Sequence, residues 1–219
     1  MIRKILMFSV AVVVMICGYS YGANEGGSGE GMKSLGVIIS KEQEEVLEKS
    51  RAYLDIPENY SLVSVREGLQ NKEKVFIYRY GKAGAAMLGG EHYSVVLSQG
   101  GQRILGVTFM DEQFEKGQAL PSRERTQEIA KAFLEKTSPG LFEKLNNQWI
   151  EPHDEVIQVA GKSVTVTGMK FKCYAPSTQD YTWVIVGPNE KVITFETGII
   201  WNQGRVTEKW LHDLWLEKN

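Results

Sequence analysis

"HYSVVLSQGGQRILGVTF", His92 to Phe109, is two runs of alternating apolar residues around a polar, glycine-containing turn, the pattern of an antiparallel hairpin. The chain writes it again as "DYTWVIVGPNEKVITFET", Asp180 to Thr197, in the same order and without a gap. Tyr93 matches Tyr181, Val95 matches Trp183, Leu97 matches Ile185, Leu105 matches Ile193 and Val107 matches Phe195. Residue type, alternation and turn position agree together, which identifies an internal repeat.

Working outward, each hairpin follows the same series of elements. In the first copy Ser40 is placed to cap a helix, with Gln43 at the capping-box position and Val46, Leu47, Ser50, Tyr53 and Leu54 on one face. Pro57 ends that segment, and strands are predicted at Tyr60–Leu69, Lys74–Tyr80, His92–Ser98 and Arg103–Phe109. In the second copy Ser122 caps a helix whose stripe is Ile129, Ala130, Phe133 and Leu134. Strands are then predicted at Asn147–Val159, Ser163–Tyr174, Tyr181–Val186 and Lys191–Trp201. The fold class is α+β: two tandem units, each a helix packed on an antiparallel meander, plus a C-terminal helix. A unit of roughly 80 residues has a small core, so two units docked together or sharing a sheet cover what one leaves open.

The boundaries that follow are a signal peptide at 1–23, a Gly/Ser-rich linker at 24–38, a first unit at 39–116, a second at 117–203 and the C-terminal helix at 204–219. Arg3 and Lys4 precede the apolar run Ile5 to Cys17, and small, turn-forming residues follow up to Ala23. The run falls short of the ~20 residues that cross a bilayer. Export to the periplasm is therefore expected, with no membrane span once the leader is removed. A lipid anchor at Cys17 is disfavoured, because Ile16 stands where a lipobox needs a small residue. The C-terminal stretch "VTEKWLHDLWLEK" sets Val206, Trp210, Leu211, Leu214 and Trp215 at helical spacing, either as core over the second sheet or the joint, or as a partner-binding stripe.

Formal net charge is −2, and losing Arg3 and Lys4 with the leader makes it more negative by two. That balance carries no footprint for nucleic acid. Cys173 is the single cysteine beyond Cys17 and shares strand parity with Met169 and Phe171, which places an inert thiol in the core and turns Lys170 and Lys172 to solvent. A glycine bulge at Thr167–Gly168 is expected to reconcile this phase with Val164 and Val166.

Catalytic motifs are sparse. His92, His153 and His212 lack metal-ligand spacing, His153-Asp154-Glu155 reads as a solvated turn, and no G-x-S-x-G elbow occurs. Gly161-Lys162-Ser163 resembles the tail of a phosphate-binding loop, but Val156 stands where that loop needs glycine, so a strand-connecting turn fits better. No cofactor, metal or enzymatic activity is expected. One loop differs sharply between the copies: "GKAGAAMLGG", Gly81 to Gly90, against the short polar "APSTQ", Ala175 to Gln179. Its apolar tip, Ala85, Ala86, Met87 and Leu88, either folds back on its own unit or the joint, or contacts a partner.

Helix-then-meander units in tandem in an exported chain resemble the PepSY-like and cystatin-like group, whose hairpins carry D-x-x-T-G-x-[VI] at the turn. The matching positions here are Ser98 to Ile104 and Val186 to Val192, and both keep a basic residue followed by a β-branched one, Arg103-Ile104 and Lys191-Val192. The Asp, Thr and Gly of that motif are absent. The resemblance implies a non-catalytic domain associated with peptidase inhibition or cell-envelope regulation, and the expected function is a non-enzymatic binding protein that inhibits or regulates another exported or envelope protein, a class that an immunity-type protein shares. The alternative is a carrier of a small apolar ligand held between helix and sheet.

Overall fold

A computed structural model describes residues 37–82 and 87–219. The expected signal peptide, the linker up to residue 36, and Ala85 and Ala86 lie outside the described residues. The elements run α1 (Lys41–Arg51), β1 (Tyr60–Gln70), β2 (Glu73–Lys82), β3 (His92–Ser98), β4 (Ile104–Met110), α2 (Arg123–Thr137), β5 (Asn146–Val159), β6 (Lys162–Ala175), β7 (Asp180–Val186), β8 (Val192–Ile199) and α3 (Asp213–Leu216). All eight strands join one antiparallel sheet in the order β1-β2-β3-β4-β8-β7-β6-β5, so each copy is a meander and the copies meet edge to edge.

The meeting strands pair Gly106 with Glu196, Val107 with Phe195 and Thr108 with Thr194. Val107 and Phe195 are repeat counterparts, so each copy faces the other through the same position, as across a twofold axis. The Thr108 and Thr194 hydroxyls close the joint at 3.1 Å.

Both helices start as their caps dictate. Ser40 Oγ accepts from Gln43 N–H while Gln43 Oε1 accepts from Ser40 N–H, and Ser122 Oγ accepts from Arg125 N–H. Helix α1 buries Gln43, Val46, Leu47 and Ser50 against β2–β4, with the Tyr78 hydroxyl donating to the Gln43 carbonyl. It ends at Arg51, so Tyr53 lies beyond it and is 45% exposed instead of completing the expected stripe. Helix α2 buries Thr126, Ala130 and Leu134, and leaves Phe133 half-buried with its ring edge on Phe195.

The long β5–β6 hairpin outruns β7, which pairs with β6 only from Met169 to Ala175. Its free end rests on the first copy: Lys116 N–H donates to the Thr165 carbonyl, Gln158 N–H donates to the Gly89 carbonyl, and Lys116 pairs with Asp154. Val166 is buried there beside the turn at 112–114. The expected bulge at Thr167–Gly168 is absent, since β5 pairs through His153↔Gly168 and Asp154↔Thr167 without a shift; the shift falls between Asn147 and Trp149. Gly168 answers a close approach instead, because a Cβ would stand 2.7 Å from Ile185 Cγ2 and 2.9 Å from the Val186 carbonyl. Met169, Phe171 and Cys173 are buried as read from the pattern, and burial pushes the Cys173 thiol up to about 12.

The C-terminal helix expected over 204–219 is confined to α3, a single turn. The rest of the segment is a strap across the face of β1–β4 opposite the helices. Leu211 seals a cluster of Val75, Ile77, Val96 and Leu105, with Trp210 against it. Gly68 and Gly106 make room: a Cβ would stand 2.4 Å from Trp210 Cζ2 and 2.7 Å from Leu211 Cδ1. The physical reason is that Thr207, Trp210, Leu211 and Asp213 all find partners on one sheet surface, and a helix would turn half of them away. Val206 and Leu214, members of the expected stripe, are 62% and 76% exposed.

Candidate functional site

An open groove of about 690 Å³ lies on the helix side of the sheet, over the joint. Tyr93, Val107 and Phe109 form its floor, and all three are buried in the core. One wall is the α1–β1 connection from Tyr53 to Asn59; the other is Phe133 of α2 with Glu190, Lys191 and Val192 of the β7–β8 turn. The groove exists because α1 stops at Arg51 and its chain then runs over β3 and β4 without closing on α2. Its volume falls within the range of small-molecule and side-chain pockets, roughly 300–1,000 Å³. Two of the four charged residues on its rim are matched within the protein, Asp55 by Lys136 at 3.5 Å and Glu190 by Arg125 at 2.6 Å, while Glu58 and Lys191 make no ion pair among the described residues. The groove therefore combines an apolar floor with a rim that carries charge of both signs.

The strap side holds two buried ionic clusters. Arg79 makes a bidentate pair with Asp213 at 2.7 and 2.8 Å, and Asp213 also accepts from Gly89 N–H at 2.6 Å. Burial works against the Asp213 charge, but the Arg79 and Gly89 hydrogen bonds hold its carboxyl below the usual range. His92 lies beneath, its Nδ1 2.7 Å from Ser94 Oγ and its Nε2 3.7 Å from Asp213. Burial, then the Arg79 charge, push His92 down to about 3, so its ring is neutral at ordinary pH. Ser94, His92 and Asp213 carry the residue types of a hydrolytic triad. The space beside Ser94 is about 20 Å³, and Leu88, Trp210 and Leu216 line it. In the second cluster Glu196 pairs with Arg205 at 2.6 Å and His212 at 3.2 Å; burial opposes its charge, yet those partners hold it at about 2.

The loop expected to contact a partner is split by this arrangement. Met87 is 79% exposed, whereas Leu88 is half-buried beside Arg79 and Trp210. The base of the loop is fixed: the Met87 carbonyl accepts from Arg79 and from Gly90 N–H, and Gly89 is bound to both Asp213 and Gln158. The turn expected at His153-Asp154-Glu155 is instead the middle of β5, paired with Gly168, Thr167 and Val166; His153 meets Glu155 at 3.1 Å, and Asp154 is engaged by Lys116 and Thr167. Ala160 and Gly161, with φ of 48° and 78°, form the two-residue turn joining β5 and β6, as the sequence indicates. No cluster of three or more metal-ligating side chains occurs among the described residues.

The groove escaped sequence reasoning because its walls are 130 residues apart in the chain, at Tyr53–Asn59 and Glu190–Val192. The available signal was Tyr53 and Phe133, large apolar residues near the C-terminal ends of the two predicted helical stripes.

No protein-family model matches the chain, and no curated protein sequence does. Among solved structures, the Bacillus megaterium YpeB C-terminal domain is similar, with a TM-score of 0.48 and 15% sequence identity over 74% of this chain. The match covers 64% of that domain, so this chain spans less than two thirds of it.

Proposed function

We propose that this chain is an exported, non-enzymatic binding protein of the cell envelope, built from two PepSY-like or cystatin-like units, that inhibits or regulates another exported protein. The observation that carries the reading is the groove over the joint. It offers an apolar floor and two walls from different copies, with Glu58 and Lys191 as charges on its rim. The fixed loop base that presents Met87 to solvent adds a second contact point on the same molecule. Its buried serine, histidine and aspartate side chains serve as anchors for the strap, a use that needs no substrate access.

Purification of tagged mature protein from a native envelope tests this. A partner retained by the wild type and lost, about tenfold or more, by Ile56→Asp in the groove supports the reading; Met87→Ser reports whether the loop shares the contact. Equal retention by Ile56→Asp, with an unchanged melting temperature, overturns the role of the groove. A carrier of a small apolar ligand is the second reading, favoured by the groove volume of about 690 Å³. Native mass spectrometry of the purified protein separates them, because a carrier brings its ligand with it.

A further inference from the structure

The two walls of the groove differ in charge. Asp55 and Glu58 come from the first copy's α1–β1 connection, and Lys191 comes from the second copy's β7–β8 turn, beside Glu190. Helix α2 supplies Arg125 and Lys136, which neutralise Glu190 and Asp55 at 2.6 and 3.5 Å. What is left for a ligand is Glu58 on one wall and Lys191 on the other, both exposed. The repeat marks Lys191 as a departure. Its counterpart Arg103 pairs with Glu73 of its own copy, whereas Lys191 makes no ion pair among the described residues and stands at the groove. Asn59 and Gln113 also line the groove, and their side-chain amides make no hydrogen bond among the described residues. Each such amide offers both donors and an acceptor, the complement of a peptide unit.

We propose that the groove takes an extended segment of the partner protein, with a large apolar residue seated on Val107 and Phe109, a basic flank against Glu58 and an acidic flank against Lys191. This names the chemistry of the partner and rests on the groove reading above. The apolar residue is the anchor, because affinity in such pockets comes chiefly from one or a few buried side chains. The flanks select the partner: a segment with the same charge on both sides meets one attractive wall and one repulsive wall. A wholly apolar ligand would cover Asn59 and Gln113 without pairing them, at a desolvation cost that peptide amides avoid. The groove of about 690 Å³ is larger than one side chain, so the residues beside the anchor lie along the walls.

The test is fluorescence anisotropy of labelled peptides with the folded mature protein at low salt, where surface charges are least screened. Every peptide has a Leu-Phe centre, flanked by lysines on both sides, by aspartates on both sides, or by lysines on one side and aspartates on the other. The mixed peptide is made in both orders. Saturable binding of either mixed peptide, about tenfold or more tighter than both single-sign peptides, supports the proposal. Glu58→Lys should transfer the preference to the aspartate peptide, and Lys191→Glu should transfer it to the lysine peptide. Both side chains are exposed, so near-native melting temperatures are expected of the variants. Equal affinity for all the peptides, a preference unmoved by either variant, or no binding overturns the proposal. An envelope partner lost by Ile56→Asp but retained by Glu58→Lys and Lys191→Glu overturns it as well, and leaves the groove reading standing.

Discussion

Glu196 is the residue on which pH acts most directly. Its side chain is 4% exposed and is held by Arg205 and His212, so its carboxyl stays at about 2 against an ordinary 4.5. The folded value is depressed, so the stabilisation is complete above the unfolded value and disappears as pH falls from about 4.5 towards 2. The contribution is about 3 kcal/mol. Urea midpoints measured between pH 5 and 2 should fall over this window. Glu196→Gln should flatten that slope, whatever its own stability; an unchanged slope would show that Glu196 ionises normally in the fold.

At the scale of elements, the strap depends on Asp213. Replacing Asp213 with Ala strands the buried Arg79 guanidinium without its bidentate partner and frees Gly89, at a cost of about 3–5 kcal/mol. Trp210 and Trp215 stand edge to face at 5.0 Å, so strap detachment should shift tryptophan emission at the same denaturant concentration that lowers the midpoint. The strands were legible because alternation and turn residues are local: His92–Ser98 is predicted with its observed bounds, and the two helices begin at the predicted caps. The strap was not legible, since Trp210, Leu211 and Trp215 have a helical spacing that a segment lying across a sheet shows equally well. Lys172 was misread for a related reason. Parity along β6 gives its face, but the rings that cover it come from β5, β7 and the segment just beyond β8. The same limit hides the groove, whose walls are set by where α1 ends and where β7 turns into β8.

In the whole molecule, the two copies hold each other at the Asp55–Lys136 pair beside the groove, at the β4–β8 joint, through the β5–β6 hairpin on the first copy, and through the β1–β2 turn on the second. At that last place Asn71 donates from its side chain to the Gly198 carbonyl at 2.6 Å and from its backbone to Glu208 at 2.9 Å. A fragment of residues 37–116 loses all of these together with the strap over Val75 and Ile77. It should give no cooperative melting transition as a monomer by circular dichroism; a sharp transition in a monomeric fragment would show that one copy is stable alone.

The pairing of Val107 with Phe195 has a consequence for how such a chain can change. In an assembly of two identical protomers every substitution strikes both sides of the axis at once, and a loop that helps one side must be tolerated on the other. Joining the sides in one polypeptide lifts that constraint. The connection after β2 can span residues 83–91 while its counterpart after β6 keeps only 176–179, and one flank can gather rings around a lysine while the opposite flank lies beneath a strap. The axis survives in the backbone, and the two sides are free to specialise.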